Sequence, residues 1–193
     1  MPGTVRPVTD ERDGLLAFLD HQRHLVRVAA HGLSDAQASM TSTASSLSVG
    51  GLIKHLAAVE HNWMDMVEQR TREASVEAYM SSFSLAPGET LADVLALYDA
   101  AASRTCDVVA GIADLGQPVP VPAGQPWLPQ DVEAWSVRWV LLHLVEETAR
   151  HAGHADIIRE SLDGATAIPL MAAVEGWPAM PWVEPWRPAV AQR

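Results

Sequence analysis

Apolar residues recur at helical spacing in four long segments of the chain. These segments run from about residue 11 to 31, 49 to 72, 91 to 115 and 137 to 162. The second segment shows the pattern well, because its apolar side chains would share one face of a helix with 3.6 residues per turn. These residues are Leu52, Leu56, Val59, Trp63, Met66 and Val67. We therefore predict four helices, each of about twenty residues or more.

Capping residues stand at the ends of these segments. Asp10 precedes the first and Ser48 the second, and both residue types accept hydrogen bonds from the first turn of a helix. Thr90 followed by Asp93 resembles a capping box before the third segment. Gly164 follows the fourth, where helices favour glycine. Four capped helices joined by loops indicate an all-α protein, a four-helix bundle.

Proline interrupts the pattern in two places. The stretch QPVPVPAGQPWLPQ (117–130) contains five prolines, which exclude a regular helix and predict an extended connection. No segment shows the alternation of a β-strand.

We predict a bundle over residues 1–164 and a Pro/Trp-rich tail over 165–193, with a short helix starting near Pro169. The tail would pack on the bundle or on a partner subunit through Trp177, Trp182 and Trp186.

Composition and charge narrow the function classes. The net charge of -11 disfavours nucleic acid, which binds clustered Lys and Arg, and also disfavours anionic lipid. Apolar runs are too short to span a membrane, and no basic-then-apolar leader opens the chain, so we expect a cytoplasmic protein. Cys106 is the sole cysteine, which excludes an intrachain disulfide. Its apolar neighbours predict that it is buried.

Chemistry-bearing residues concentrate in the fourth segment, in HLVEETARHAGH (143–154). At about 100° per residue, Glu147 and His151 fall inside the apolar stripe of this helix. A buried carboxylate is costly unless it is paired or binds a metal. Residues four apart on a helix adjoin, roughly 5–6 Å between Cβ atoms, so Glu147 and His151 can reach one ion.

A third ligand can come from the second segment, where His55 stands close to the apolar stripe. Bundles build metal sites from residues that project inward on facing helices. We predict a divalent metal bound by His55, Glu147 and His151, because three protein ligands leave a position for water or substrate. Zinc suits this set, and so do nickel and iron. His143, one turn before Glu147, is a candidate fourth ligand or a residue that supports one. The alternative is a hydrogen-bonded core cluster without metal.

These residues resemble a known family. The His55 context and the segment Glu147-Thr148-Ala149-Arg150-His151-Ala152-Gly153-His154 look like the DinB/YfiT-like superfamily, over roughly residues 10 to 162. Its usual motif here is H-x-x-x-H-R-G-Q. This chain departs from it at Glu147, Ala152 and His154, and the glutamate is similar to the mycothiol-dependent maleylpyruvate isomerase branch, which uses His, Glu and His. The resemblance implies a metal-binding four-helix bundle.

The resemblance also implies an activity. It indicates a low-molecular-weight thiol S-transferase, with mycothiol as the thiol and a small electrophile as the substrate. His154, in place of the family glutamine, would orient a ligand or water, or move protons; the alternative is a surface or packing role. Two alternatives stay open: a metal-dependent hydrolase, and a non-catalytic bundle that binds a metal or ligand and forms a homodimer. An open coordination position on the metal, with an exchangeable water, would favour the enzyme.

Overall fold

The computed structural model describes residues 3–70, 75–125 and 128–188. Within them lie seven helices and two short strands. The helices are α1 (Glu11–Ala29), α2 (Asp35–Ala38), α3 (Val49–Val67), α4 (Val76–Ser81), α5 (Leu91–Gly111), α6 (Val137–Asp163) and α7 (Ala167–Glu175). The strands are β1 (Pro118–Pro120) and β2 (Ala134–Ser136).

The four long helices α1, α3, α5 and α6 form the bundle. Helix α1 packs chiefly on α6, and α3 chiefly on α5, while a further contact joins α3 to α6. This arrangement confirms the predicted all-α fold. In the described part of the chain no helix has both the length and the apolarity that a membrane crossing requires.

The predicted caps are present. Asp10 and Ser48 accept hydrogen bonds from the first turns of α1 and α3. Thr90 and Asp93 form a complete capping box at the start of α5. Gly164 ends α6 with a φ of 76°, a left-handed conformation that glycine adopts without strain. The first three predicted helices therefore begin where their capping residues indicate, and the fourth ends where Gly164 indicates.

Helix α3 ends at Val67, earlier than the predicted residue 72. A turn that contains no glycine closes the helix there. Gln69 adopts a φ of 54°. The Arg70 amide donates to the Asp65 carbonyl at 2.8 Å, and the Gln69 amide donates to the Met66 carbonyl at 3.1 Å. These two bonds form a Schellman motif, usually closed by glycine. A glutamine in this position gave no signal in the sequence.

A two-stranded sheet corrects the expectation that the chain contains no strand. Strands β1 and β2 pair antiparallel, with Val119 opposite Trp135. The first residue of α6 is also hydrogen-bonded to the segment before β1, since the Val137 amide donates to the Gln117 carbonyl at 3.1 Å. Three residues per strand are too few for an alternating pattern to be recognised. The sheet fixes the start of α6.

The C-terminal residues up to 188 return to the bundle. The Trp186 ring lies against Gly32 and edge-on to His31, and the Arg159 guanidinium lies 4.9 Å from its centre. Trp177 packs on a small apolar cluster, whereas Trp182 is 67 % exposed. A short helix is present near Pro169, as predicted, and begins two residues earlier, at Ala167.

The core of the bundle has two apolar clusters with a polar layer between them. One cluster lies around Leu52, Leu56 and Tyr98, the other around Met64, Val140 and Leu144. Along each long helix, buried polar residues separate the two clusters: Arg23 on α1, Glu60 on α3, Thr105 on α5 and Thr148 on α6. Glu147 and His151 lie next to Thr148 on α6, whereas His55 stands between Leu52 and Leu56 of the first cluster.

Candidate metal centre

Three predicted ligands converge between α3 and α6. One nitrogen each of His55 and His151 and one oxygen of Glu147 all lie within 4.8 Å of one another. The Nε2 atom of His151 is 3.2 Å from Glu147 Oε1, and the Nε2 atom of His55 is 3.6 Å from the same oxygen. The structure thus brings together the three side chains that the sequence selected, although they come from helices almost a hundred residues apart.

Hydrogen bonding on the far side of the His55 ring decides which nitrogen carries the proton. The Ser82 hydroxyl donates to the Tyr79 carbonyl at 2.6 Å. A hydroxyl has one hydrogen, so Ser82 Oγ can only accept from His55 Nδ1, which lies 3.0 Å away. A neutral His55 therefore carries its hydrogen on Nδ1 and presents a bare lone pair at Nε2.

The bare lone pair has no partner. His55 is 1 % exposed, and no hydrogen bond reaches its buried Nε2 atom in the described structure. The nearest charged group is the Glu147 carboxylate, which is also an acceptor, and 3.6 Å is too long for a hydrogen bond. Two acceptors that face each other at a buried site fit a cation between them. Metal bonds of about 2.0–2.2 Å would need only a small closure of the three ligands.

The charge of the site favours a cation as well. The hydrogen bond with His151, followed by the neighbouring His55, holds the pKa of the Glu147 carboxyl well below its usual range. Glu147 is therefore ionised at neutral pH. Its side chain is 22 % exposed while His55 is sealed, so the cluster meets solvent on the Glu147 side.

His154 continues the chain of imidazoles. Its Nδ1 atom is 3.3 Å from His151 Nδ1, and the two rings lie edge to face. Burial, followed by the neighbouring charges of His151 and Arg150, lowers the pKa of His154. If His154 accepts from His151 Nδ1–H, the His151 Nε2 lone pair would be left for a metal, in place of the hydrogen bond from Nε2 to Glu147.

His143 lies apart from the three ligands. Its ring stacks on Trp139 at 5.3 Å and meets Trp63 edge to face at 4.9 Å. Trp135 stacks on the other side of Trp139 at 4.8 Å. Among the described residues, the group able to hold one ion consists of His55, Glu147 and His151 without His143. Of these rings, Trp139 and His143 belong to α6, and His143 lies one turn before Glu147.

Helix α4, which the sequence analysis did not predict, covers the buried side of the cluster. It supplies Tyr79, and its C-cap residue Ser82 lies next to the His55 ring. The residue after it, Phe83, stacks on His55 at 3.8 Å between ring centres. A signal was present, because Val76, Tyr79, Met80 and Phe83 follow helical spacing after the capping residue Ser75. The helix is too short for that signal to stand out.

A close backbone contact holds this cover against α3. A Cβ atom at Gly51 would lie far inside van der Waals contact of the Phe83 carbonyl oxygen. Gly51 precedes His55 by one helical turn, so the segment after α4 can approach α3 next to the ligand only because Gly51 has no side chain. The sequence analysis did not assign this role to Gly51.

Cys106 proves to be exposed, which corrects the prediction that it is buried. Its neighbour Thr105 is fully buried. One residue along a helix turns the side chain by about 100°, and that rotation takes Cys106 to the outer face of α5. The cysteine lies outside the group of side chains that could hold an ion.

Comparison with known families agrees with the site geometry. The family model described as mycothiol-S-transferase matches residues 14–164. The match includes all four bundle helices except the first residues of α1, and it includes His55, Glu147 and His151. No curated protein matches the chain.

Proposed function

Since the chain belongs to the mycothiol S-transferase family, we propose that it is a metal-dependent enzyme that joins mycothiol, through its sulfur, to a small electrophile. His55, Glu147 and His151 are the proposed ligands of one divalent metal, zinc in the first instance, with nickel and iron as alternatives. The substrate class is thus a small molecule together with a thiol co-substrate. A cytoplasmic location and a homodimer stay predictions.

One observation supports the metal site most strongly. The Nε2 atom of His55 is buried, accepts no hydrogen bond from the residues that the structure describes, and faces an ionised carboxylate. A cluster stabilised by hydrogen bonds alone would place a donor between the two acceptors, because an unpaired buried acceptor costs about 1–3 kcal/mol. A cation satisfies both groups at once.

The transfer requires three changes of bonding. The thiol S–H loses its proton, the sulfur electron pair forms a bond to the electrophilic carbon, and the leaving group departs with its own bonding pair. A bound divalent metal would supply positive charge that favours the thiolate at neutral pH. Glu147 lies on the solvent side of the cluster, which suits the approach of a thiol from that side.

We assign to His154 a role in orienting His151 and in carrying protons to solvent. It is partly buried, and its Nδ1 atom lies 3.3 Å from His151 Nδ1. The proton released by the thiol could leave the site along this pair of imidazoles. His143 belongs to the aromatic cluster with Trp139 and Trp63, where we expect it to shape the approach to the site.

Elemental analysis of untagged protein, purified without chelator, tests the proposal. We expect about one divalent metal per chain in the wild type and a large loss in His151→Ala. The metal-loaded wild type should consume mycothiol in the presence of a model electrophile, and His151→Ala should not. Metal binding without thiol consumption would favour the hydrolase or the non-catalytic binder. Absence of metal after reconstitution with zinc, nickel and iron would overturn the proposal.

A further inference from the structure

We propose that Ser82 is a positioning residue, which holds His55 in the one tautomer that can bind a metal through Nε2. The inference rests on the proposed metal site and adds a residue that the sequence motif does not contain. Ser82 lies on the opposite side of the His55 ring from Glu147, so it would not touch the ion. It would act only through the ring.

The direction of two hydrogen bonds carries the inference. Ser82 is 5 % exposed, and its hydroxyl hydrogen is committed to the Tyr79 carbonyl at 2.6 Å. The oxygen is then available to His55 only as an acceptor, at 3.0 Å from Nδ1. The partner of one imidazole nitrogen sets the tautomer, and hence the lone pair that the other nitrogen offers.

Loss of Ser82 would allow the opposite tautomer. With hydrogen on Nε2, His55 could donate to Glu147 Oε1, now 3.6 Å away, after a small shift. The two groups would then satisfy each other, and the cluster would close without a metal. Ser82 therefore decides between a metal-binding cluster and an ordinary histidine–glutamate hydrogen bond.

The surrounding structure holds Ser82 in place independently of the ion. Its amide donates to the Ala78 and Tyr79 carbonyls, each at 3.2 Å. The next residue, Phe83, stacks on the His55 ring. Stacking fixes the ring plane but does not distinguish the two nitrogens, so the choice of tautomer falls to the Ser82 hydroxyl.

The tautomer can be observed directly in metal-free protein. We would record ¹H–¹⁵N correlation spectra of the imidazole nitrogens at pH 8 and assign His55 from the signal that disappears in His55→Asn. We expect the Nδ1–H form in the wild type and in Ser82→Thr, which keeps the hydroxyl. Ser82→Ala should shift His55 towards Nε2–H. A wild type already in the Nε2–H form would overturn the inference, even if no Ser82 variant folds.

Metal affinity provides the second measurement. Competition with a chromophoric zinc chelator should show affinity lowered by about 10- to 100-fold in Ser82→Ala. Ser81→Ala is the matched control, because Ser81 is the exposed neighbour and its hydroxyl donates only to the Ala78 carbonyl at 3.1 Å. We expect the control to bind zinc as tightly as the wild type.

The outcomes separate this inference from the proposed function. If the wild type binds zinc and Ser82→Ala binds it within twofold as tightly, with His55 unchanged in the spectra, the role of Ser82 is refuted and the metal site stands. If the wild type binds none of zinc, nickel and iron, the proposed function fails, while the imidazole spectra still report whether Ser82 sets the tautomer.

Discussion

Two carboxylates of the bundle differ in their surroundings: Glu60 is buried, whereas Glu147 is 22 % exposed. Glu60 is 1 % exposed and accepts from Arg23 Nε at 2.8 Å, from the Arg23 terminal nitrogen at 2.5 Å and from Thr105 Oγ1 at 2.8 Å. Glu147 has one imidazole donor, His151, and faces the bare nitrogen of His55. The first carboxylate is fully paired by the protein, and the second is not.

The difference shows how a helical core distinguishes a structural charge from a ligand. Arginine supplies several donors in a fixed fork and a full positive charge, so the Arg23–Glu60 pair is neutral and complete. Histidine in a fixed tautomer supplies a lone pair instead. The His55–Glu147–His151 cluster thus keeps a net negative charge that a cation would neutralise. Four substitutions test this contrast, from the largest expected effect to the smallest.

Arg23→Met should cause the largest loss of stability. It leaves Glu60 buried without its charged partner, and breaking a buried ion pair from one side costs about 3–5 kcal/mol. Urea denaturation of the metal-free protein would measure the loss. The double variant Arg23→Met/Glu60→Leu should regain most of it, because no charge is left behind. A single variant within 1 kcal/mol of the wild type would show that Glu60 is not dependent on this pair.

Glu147→Gln should weaken metal binding and leave stability unchanged, the opposite of the effect expected at Arg23. We expect zinc affinity to fall about 100-fold, or about 2.7 kcal/mol. The metal-free protein should be as stable as the wild type or slightly more stable, because the new amide can donate to His55 Nε2. Competition with a zinc chelator and urea denaturation would measure the two effects. Glu146→Gln is the control, since that neighbouring side chain is 73 % exposed. Unchanged zinc affinity in Glu147→Gln would exclude the carboxylate as a ligand.

Gly51→Ala should disturb the histidine cluster and spare the Arg23–Glu60 pair. The added methyl group would push the Phe83 backbone away from α3, and with it Ser82. We expect a loss of about 1–3 kcal/mol in stability, typical of overpacking, together with weaker zinc binding. Gly153→Ala on α6 is the control, because its Cβ would meet nothing within 4 Å. That control should gain up to about 1 kcal/mol from helix propensity. Equal effects of the two substitutions would contradict the close contact.

Asp156→Asn tests a third carboxylate on α6, and it should have the smallest effect. Burial, with a smaller contribution from Glu160, raises the pKa of Asp156 to about 6 from an ordinary value of 3.8. The folded state therefore binds more protons than the unfolded state between about pH 4 and 6, and stability declines as pH rises through that range. A pKa raised from 3.8 to about 6 corresponds to a decline of at most about 3 kcal/mol. Because Asp156 is only partly buried, solvent screening reduces this decline, and the Asn variant should lack it and exceed the wild type by about 1 kcal/mol above pH 7. Urea denaturation at pH 4.5 and 7.5 would measure it. A constant difference between the two pH values would contradict the raised pKa.

The helices and two of the three candidate ligands were accessible from the sequence because both depend on local spacing. Helical periodicity and the caps at Asp10, Ser48 and Thr90 located the bundle helices, and a wheel placed Glu147 and His151 on one face. The error at the end of α3 arose where Gln69 performs a role usually taken by glycine. The prediction that Cys106 is buried was wrong, because it rested on the apolar neighbours in the sequence. It did not take into account that a helix turns each successive side chain by about 100°.

Only the tertiary structure decided how the two polar clusters are satisfied. The sequence by itself determined which residue types lie inward on each helix, since that follows from a repeat of 3.6 residues. It carried no information on whether Arg23 meets Glu60 or on the contact between Ser82 and His55, because these pairs are 37 and 27 residues apart and depend on how the helices pack. Hydrogen-bond direction is a property of such contacts, and here that direction turns three inward-facing residues into a candidate metal site.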